Sequence, residues 1–300
     1  MKKITHVFSV LFLFISIFIG VAIYEYRSND GFYKSRIYYP LKVEHQQTAS
    51  FPCKEELEAI NEILNQPFHY IAHGCQAFVF RSEDGKHVVK FAKSPIFPLS
   101  DYSFLKQYFP SLQKYLEDRF LLCQNKVRTI FAAWSLADKQ LKHETALEYV
   151  HMYPTRGIHG TTTFIDKKGQ THEIDLDTPP FLLQRYTINL NPYLDELIEE
   201  GKTQQAIFLV HQLIEHLVSE YKKGIYDIDP EILRNAGVTN NLIVQYDVGN
   251  FITDESIKSP EIYLPILVEH TKLMRQQLHE KDPLLGEAFD IKISALLSTL

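Results

Sequence analysis

The order of apolar and polar positions divides the chain into an apolar N-terminal segment, a polar stretch and a long folded region. Residues 7–24 contain no charged side chain and consist mostly of Phe, Ile, Leu and Val. A helix of about eighteen residues is roughly 27 Å long, which is close to the hydrocarbon thickness of a bilayer. The pattern therefore predicts a membrane-spanning helix within residues 1–24.

A cleaved signal peptide is the main alternative for this segment, because Lys2 and Lys3 precede the apolar run as they would in a signal peptide. The run is longer than the usual apolar region of such a peptide, and the residues near its end, 21–24, offer no small-x-small cleavage site. The sequence thus favours an uncleaved anchor over a signal peptide or a buried core helix.

Residues 25–53 are polar and mixed in charge, so they predict a stalk between the membrane and the folded region. An amphipathic helix is predicted from Lys54, and the period then changes to that of strands at 68–74, 77–81 and 87–92. Three short antiparallel strands in a row, followed by helical sequence, are typical of an α+β fold.

Helical patterns continue from about residue 103 to 151, with an interruption near Pro110, and strands return between 161 and 186, with a turn at 167–169. From residue 192 onward the chain is predicted to be helical, with one helix at 203–222, apart from a region of loops and short strands at 225–251. The last two predicted helices cover roughly 259–280 and 284–297.

Composition and charge exclude some classes of function. The chain is 45% apolar, which is enough for a folded core, and its net charge of −6 gives no drive toward nucleic acid. The three cysteines are far apart and odd in number, so they support neither a disulfide framework nor a zinc site with paired ligands.

A segment of small residues joins the first two predicted strands, with the sequence Ala-His-Gly-Cys-Gln-Ala-Phe-Val at positions 72–79. Small residues at such a turn let backbone N–H groups come close to phosphates. A hairpin in which Gly74 supplies a positive φ explains the same segment.

Lys90 interrupts an apolar run on the third predicted strand, between Val89 and Phe91. Burying an unpaired ammonium is costly, so a lysine in this position calls for a negatively charged partner. The alternative is a lysine that points to solvent from a strand with alternating faces. Two carboxylates that could serve, Glu144 and Glu148, are predicted to share one face of a helix at 141–148.

Acidic and amide residues are concentrated later in the chain. Asp227, Asp229 and Asn235 are followed, after a predicted hairpin, by Asp247 and Gly249. With the small-residue loop and Lys90, this order resembles that of the protein kinases, whose motifs are G-x-G-x-x-G-x-V, V-A-I-K, H-R-D-x-x-x-x-N and D-F-G. Each motif is degenerate here, and turn formation alone could explain any one of the aspartates.

The resemblance implies a role for each residue. Asp229 would orient the attacking hydroxyl, because it precedes Asn235 by six residues. Asp227, which precedes Asn235 by eight, is the second choice. Asn235 and Asp247 would hold Mg²⁺ through oxygen atoms, the ligands that this hard cation prefers. The residues assigned to ATP are Gly74, Gln76, Ala77, Val79, Lys90 and Glu144. Glu144 is the first choice as partner of Lys90, and Glu148 the second.

The fold that the resemblance implies is two-lobed and kinase-like. Its N-lobe, with an antiparallel sheet and a helical insert, would cover 54–186, and its short helical C-lobe 187–300. About fifty residues follow Gly249, so the C-lobe looks closer to that of the aminoglycoside phosphotransferases than to the large platform of eukaryotic-type kinases.

Two functions follow as expectations. The first is a membrane-anchored phosphotransferase that depends on ATP and Mg²⁺ and acts on an unknown protein or small-molecule acceptor. The second is a pseudokinase that serves as a membrane-attached binding module. Basic residues lie on both sides of the apolar segment, so the positive-inside rule does not orient it. The need for ATP favours a single-pass protein whose main domain faces the cytoplasm.

Overall fold

The computed structural model describes residues 2–38, 52–94 and 108–299 of the chain. These residues form two compact units. The first unit contains residues 2–38, 52–94 and 151–181, and the second contains 108–150 and 182–299. Residues 108–150, which the sequence assigns to the N-lobe, thus group with the second unit.

Helices and strands alternate along the chain largely as the sequence predicts. The helices are α1 (Lys2–Ser28), α2 (Lys54–Leu64), α3 (Pro110–Gln140), α4 (Leu190–Glu199), α5 (Thr203–Lys222), α6 (Ile232–Asn235), α7 (Pro260–His270), α8 (Lys272–Lys281) and α9 (Pro283–Leu297). The strands are β1 (Phe68–His73), β2 (Ala77–Ser82), β3 (His87–Ala92), β4 (Leu147–His151), β5 (Thr161–Ile165), β6 (Thr171–Asp175), β7 (Phe181–Arg185), β8 (Ile188–Asn189), β9 (Ile225–Asp227), β10 (Ala236–Thr239), β11 (Leu242–Gln245) and β12 (Phe251–Thr253). Short 3-10 helices cover Lys34–Ile37 and Glu255–Lys258.

Five strands of the first unit lie in the order β3-β2-β1-β5-β6. All neighbours in this series are antiparallel except β1 and β5, which run parallel. The three successive antiparallel strands predicted at 68–92 are confirmed, and so is the hairpin at 161–175. An antiparallel-rich sheet and a mainly helical second unit confirm the α+β class and fit a kinase-like fold.

Aromatic side chains fill the core of the first unit because alternate residues of each strand point to the same face. The ring centroid of Phe80 lies 5.2 Å from that of Phe164, and the centroid of Phe91 lies 4.9 Å from Phe164. Phe32 joins this cluster from outside the sheet, at 5.1 Å from Phe80. Its contribution shows that part of the predicted stalk belongs to the core.

Residues 29–37 are packed against the first unit although the sequence predicts a stalk at 25–53. The side chains of Phe32 and Ile37 are fully buried. Nδ2 of Asn29 donates a 2.9 Å hydrogen bond to Oδ2 of Asp166, in the turn between β5 and β6. The rest of the predicted stalk, residues 39–51, lies outside the described residues.

Helix α1 covers most of the predicted anchor. Within the part of the chain that the structure describes, no helix has both the length and the apolarity that crossing a membrane requires. The anchor at 1–24 stays a prediction made from the sequence.

The core of the second unit is built around α5, whose buried face repeats at helical spacing through Leu209, Leu213 and Leu217. Side chains of α4, α7, α8 and α9 complete the same apolar cluster. The predicted helix at 203–222 is confirmed to the residue. The single helix predicted at 259–280 is observed as two, α7 and α8, which meet at Thr271.

Short strands of the second unit position the acidic region. Strand β9 pairs with β12 in an antiparallel ladder that places Asp227 opposite Phe251. Strands β8, β10 and β11 form a separate antiparallel sheet. The β10–β11 hairpin turns at Asn240 and Asn241, both with positive φ (50° and 62°), as a tight two-residue turn requires.

Candidate functional site

The small-residue loop of the first unit, residues 74–76, connects β1 to β2. The N–H of Gly74 donates a 3.0 Å hydrogen bond to the carbonyl of Ala77. Gly74 does not have a positive φ, and a Cβ at this position would meet nothing within 4 Å. The interpretation that Gly74 is needed for a positive-φ turn is therefore wrong, because neither its backbone conformation nor its surroundings demand glycine.

Lys93 lies beside this loop and was not singled out by the sequence. Its Nζ donates to the carbonyl oxygen of Gly74 at 2.6 Å and lies 3.0 Å from Nδ1 of His73. The same ammonium lies 4.5 Å from the ring centroid of Phe78, a cation–π distance. A fixed positive charge thus accompanies the loop that is predicted to contact phosphates.

Lys90 and Val79 are directly opposite each other on β3 and β2. Residues paired in this way point to the same face of the sheet. Lys90 is half-buried, between buried neighbours in the chain, Val89 and Phe91. The structure therefore brings together two of the residues assigned to ATP, while the assignment itself stays a prediction.

Glu144 is not on a helix, so the helix predicted at 141–148 is wrong. Helix α3 ends at Gln140, residues 142–146 form turns, and Ala146 has a positive φ of 53°. From Leu147 the chain continues as strand β4, and all of its residues except Glu148 are buried.

The carboxylate of Glu144 forms an ion pair with Lys223, at the end of α5. Burial alone would raise the pKa of the Glu144 carboxyl, but the Lys223 ammonium and a backbone hydrogen bond hold it below its ordinary value. The second choice, Glu148, pairs with Arg185 on β7 at 3.1 Å. Both carboxylates thus have a basic partner inside the second unit, and their pairing with Lys90 stays a prediction.

Asp227 ends strand β9 and is almost completely buried, at 1% exposure. Its Oδ1 accepts the N–H of Asp229 at 2.9 Å, and its Oδ2 accepts a hydrogen bond from Nε2 of Gln245 at 2.5 Å. Burial, reinforced by the negative charges of Asp247 and Asp229, raises the pKa of Asp227 to about 7. This carboxyl group can therefore gain or lose a proton near neutral pH.

Asp229 is two residues further along and is partly exposed. Its Oδ1 accepts the N–H of Glu231 at 3.0 Å, which turns the chain toward α6. Its greater exposure makes Asp229 the more accessible of the two candidate bases, while its role stays a prediction.

Asn235 and Asp247 are joined through the backbone, because the N–H of Tyr246 donates a 3.0 Å bond to the carbonyl of Asn235. Asn235 is buried, and its Nδ2 has no hydrogen-bond partner among the described residues. Asp247 is partly exposed, and its Oδ1 accepts the N–H of Gly249 at 3.3 Å. The two candidate metal ligands therefore flank the β10–β11 hairpin, where this backbone bond closes its two ends.

Two glutamines that the sequence did not indicate hold this region. Nε2 of Gln184, on β7, donates to the carbonyl oxygens of Thr145 and Tyr246 at 2.8 and 3.2 Å. Gln245 joins Asp227 through its side chain, while its N–H donates a 2.9 Å bond to the carbonyl of Glu144. Neither Gln184 nor Gln245 occupies a defining position of the motifs considered, so a search for charged or motif residues passes over both.

The chemistry of these side chains suits a hard cation. Burial is the main cause of the raised pKa of Asp227, and the nearby charges of Asp247 and Asp229 add to it; a nearby Mg²⁺ would offset that repulsion. In the described part of the chain, no three His, Cys, Asp or Glu side chains converge closely enough to bind a metal on their own. Mg²⁺ in phosphoryl-transfer sites commonly takes one or two carboxylates and completes its coordination with phosphates and water. The residues present therefore fit the cation.

Comparisons with known proteins give only a distant likeness. No protein-family model matches the chain, and no curated protein matches it significantly. Similar solved structures include a high-resolution crystal structure of WbdD, with a TM-score of 0.36 and 15% identity over 77% of this chain and 47% of that one.

Two further structures of WbdD give similar values. One, of WbdD described as a bifunctional kinase-methyltransferase, has a TM-score of 0.34 and 14% identity over 73% of this chain and 43% of that one. The other is a co-crystal of WbdD with the kinase inhibitor LY294002, at a TM-score of 0.35 and 11% identity over 75% and 45% of the two chains. The chain thus spans less than half the length of these structures. TM-scores below 0.5 do not establish a shared fold, so the interpretation depends on this chain's own residues.

Proposed function

We propose that the protein is a kinase-like phosphotransferase that uses ATP and Mg²⁺. The observation that carries the proposal is the gathering of Asp227, Asp229 and Asp247 in one region of the second unit, where burial, reinforced by the charges of Asp247 and Asp229, raises the pKa of Asp227 to about 7. Three carboxyl groups held this close are costly to ionise together unless a cation is bound nearby.

The roles follow from exposure and contacts. Asp247 and Asn235 would hold Mg²⁺, and the bound cation would neutralise the charge of the phosphates. Asp229, the more exposed carboxylate, orients the hydroxyl of the acceptor, whereas the buried Asp227 holds the loop through the N–H of Asp229. Asp227 is the second choice as base.

In the first unit, Lys90 and the loop residues Gly74, Gln76, Ala77 and Val79 serve the nucleotide. The position of Lys90 opposite Val79 supports this assignment. So does the finding that neither the backbone conformation nor the surroundings of position 74 require glycine. Lys93 adds a second ammonium beside the same loop.

A pseudokinase that binds a partner without catalysis is the second candidate. The observation that favours it is the ion pair between Glu144 and Lys223, because it occupies the carboxylate that was expected to support Lys90. The short loop with its single glycine is consistent with this reading.

We also propose that α1 attaches the protein to a membrane as a single-pass anchor, with the main domain toward the cytoplasm. The side chains of Phe12, Phe14 and Phe18 are 73%, 65% and 75% exposed. Large apolar side chains in such a row are unfavourable in water and favourable in lipid. The acceptor is a protein or small molecule, and the net charge of −6 argues against nucleic acid.

Thermal unfolding of the full chain in detergent, with and without Mg·ATP, tests the proposal. Ligand at about 100 times its Kd stabilises the folded state by about 2.7 kcal/mol, which raises Tm by several degrees. Asp247→Asn should remove the part of the shift that depends on Mg²⁺, and Asp195→Asn, the same change at an exposed carboxylate of α4, should keep it.

Turnover separates the two candidate functions. Loss of ATP consumption in Asp229→Asn, with the Mg·ATP shift in Tm retained, supports the phosphotransferase. A Tm shift without turnover in the unaltered protein supports the pseudokinase. If Mg·ATP leaves Tm unchanged, both nucleotide-based proposals are wrong.

A further inference from the structure

His270 connects three elements of the second unit. It is the last residue of α7, and its Nδ1 lies 3.0 Å from the hydroxyl of Tyr221, near the end of α5. Its Nε2 lies 3.2 Å from the carbonyl oxygen of Asp229, in the loop after β9. One imidazole ring thus bridges the helical core and the backbone of the candidate base.

The partners of the ring fix where its proton lies. A carbonyl oxygen can only accept, so Nε2 must carry the hydrogen that it donates to Asp229. In the neutral ring Nδ1 then accepts the hydroxyl hydrogen of Tyr221. Tyr221 is 1% exposed, and burial raises its pKa, so it stays a hydroxyl group at neutral pH.

With the contact from His270, each polar group of Asp229 has a hydrogen-bond partner. The N–H of Asp229 is held by the carboxylate of Asp227, and its own carboxylate accepts the N–H of Glu231. His270 holds the remaining polar group, the backbone carbonyl. Without it, rotation of the peptide after Asp229 would move the carboxylate relative to the acceptor.

We propose that His270, with its tautomer set by Tyr221, is a positioning residue for Asp229. This inference rests on the proposed phosphotransferase function, in which Asp229 orients the attacking hydroxyl. A displacement of about 1 Å in such a group can reduce a rate about 100-fold, although the residue that causes it does not touch the substrate.

The test compares three replacements in the full chain. His270→Gln keeps a donor near the place of Nε2, whereas His270→Asn has its amide near the place of Nδ1 and does not reach Asp229. We expect His270→Ala and His270→Asn to lower kcat about 10- to 100-fold with KM for ATP changed less than about twofold. His270→Gln should recover most of the rate.

Hydrogen exchange gives a readout that does not need activity. The backbone N–H groups of residues 229 and 231–235 should exchange faster in the Ala and Asn variants than in the Gln variant and the unaltered chain. His279→Ala is the matched control, because His279 pairs with Asp290 on the C-terminal helices, and it should change neither kcat nor this exchange.

The outcomes separate this inference from the proposed function. Faster exchange in the Asn variant but not in the Gln variant supports the positioning of the loop even if the unaltered chain shows no turnover. Equal kcat and equal exchange in the Asn and Gln variants would overturn it, and that comparison stands even if His270→Ala does not fold.

Discussion

Nε2 of Gln245 donates a 2.5 Å hydrogen bond to Oδ2 of Asp227, and both side chains are buried. The bond joins the end of β11 to the end of β9, eighteen residues earlier in the chain. This bond contacts a carboxyl group whose pKa is raised to about 7. The protonation state of Asp227 therefore affects a contact that holds the two strand ends together.

The raised pKa of Asp227 predicts that the protein loses stability as pH rises. The carboxyl titrates near 3.8 when unfolded and near 7 when folded, so the folded state binds the proton more tightly between these values. The neutral form stabilises the fold at low pH, and that contribution is lost as pH rises through about 7. We expect Asp227→Asn, which cannot ionise, to be more stable than the unaltered protein above pH 7, by up to about 4 kcal/mol.

Urea unfolding at pH 5 and pH 8 measures this difference. The advantage of Asp227→Asn should be larger at pH 8 than at pH 5. Asp195→Asn, the same change at an exposed carboxylate, is the control and should give a similar small difference at both values. An advantage that shrinks as pH rises would contradict the raised pKa.

The pH dependence of the rate distinguishes the two candidate bases. If Asp227 accepts the proton, kcat/KM rises with pH through about 7, because only the ionised carboxylate is a base. We expect instead that Asp229→Asn lowers kcat about 100- to 10,000-fold and that Asp227→Asn lowers it less. Steady-state rates of both variants between pH 5.5 and 8.5 decide between the assignments, which are reversed if Asp227→Asn is the more damaging change.

Replacement of Gln245 should destabilise the second unit. Gln245→Leu removes the donor from a buried carboxylate, a loss of about 1–3 kcal/mol for an unsatisfied buried group. The effect should be larger at pH 8 than at pH 5, because the ionised form of Asp227 needs the donor more. Gln276→Leu, at an exposed glutamine of α8 that bonds Glu280, is the control for the same change in composition. Equal losses at the two sites would mean that the buried bond contributes nothing.

The ion pair of Glu144 and Lys223 can be measured by a double-mutant cycle. Glu144→Gln and Lys223→Met should couple by about 1 kcal/mol, since both side chains are partly buried. The exposed pair Glu200 and Lys202 is the control, with an expected coupling below about 0.5 kcal/mol. A coupling near zero at Glu144 would leave that carboxylate available to other partners.

Truncation of Phe32 tests whether the predicted stalk belongs to the core. Phe32→Ala removes a fully buried ring and should cost about 3–5 kcal/mol of unfolding free energy. Tyr33→Ala, at the exposed neighbouring ring, should cost less than about 1 kcal/mol. If the two changes have the same effect, residues 29–37 do not contribute to the core.

The sequence predicts the elements whose signals are local. Helix α5 is confirmed at both ends because its apolar residues repeat at one spacing throughout, and Phe68–His73 shows the period of a strand. The predicted helix at 141–148 failed where a local pattern was ambiguous. Leu141 and Leu147 suit a helix, but Ala146 adopts a positive φ in a turn, and the chain continues from Leu147 as a strand.

The candidate site could be predicted only in part. Its aspartates and Asn235 belong to a spaced motif, so the sequence indicates them. Gln184, Gln245 and His270 act through contacts with residues 18 to 62 positions away, and no local pattern records such contacts. The same limit applies to Phe32, whose polar neighbours in the chain conceal its burial.

The turn that follows α1 is bonded directly to the sheet of the first unit. Asn29 is bonded to Asp166, and Asp30 is bonded to Tyr70 on β1 and to Lys167 in the β5–β6 turn. If α1 enters a bilayer as proposed, these contacts would fix the height and the tilt of the first unit's sheet relative to the lipid surface.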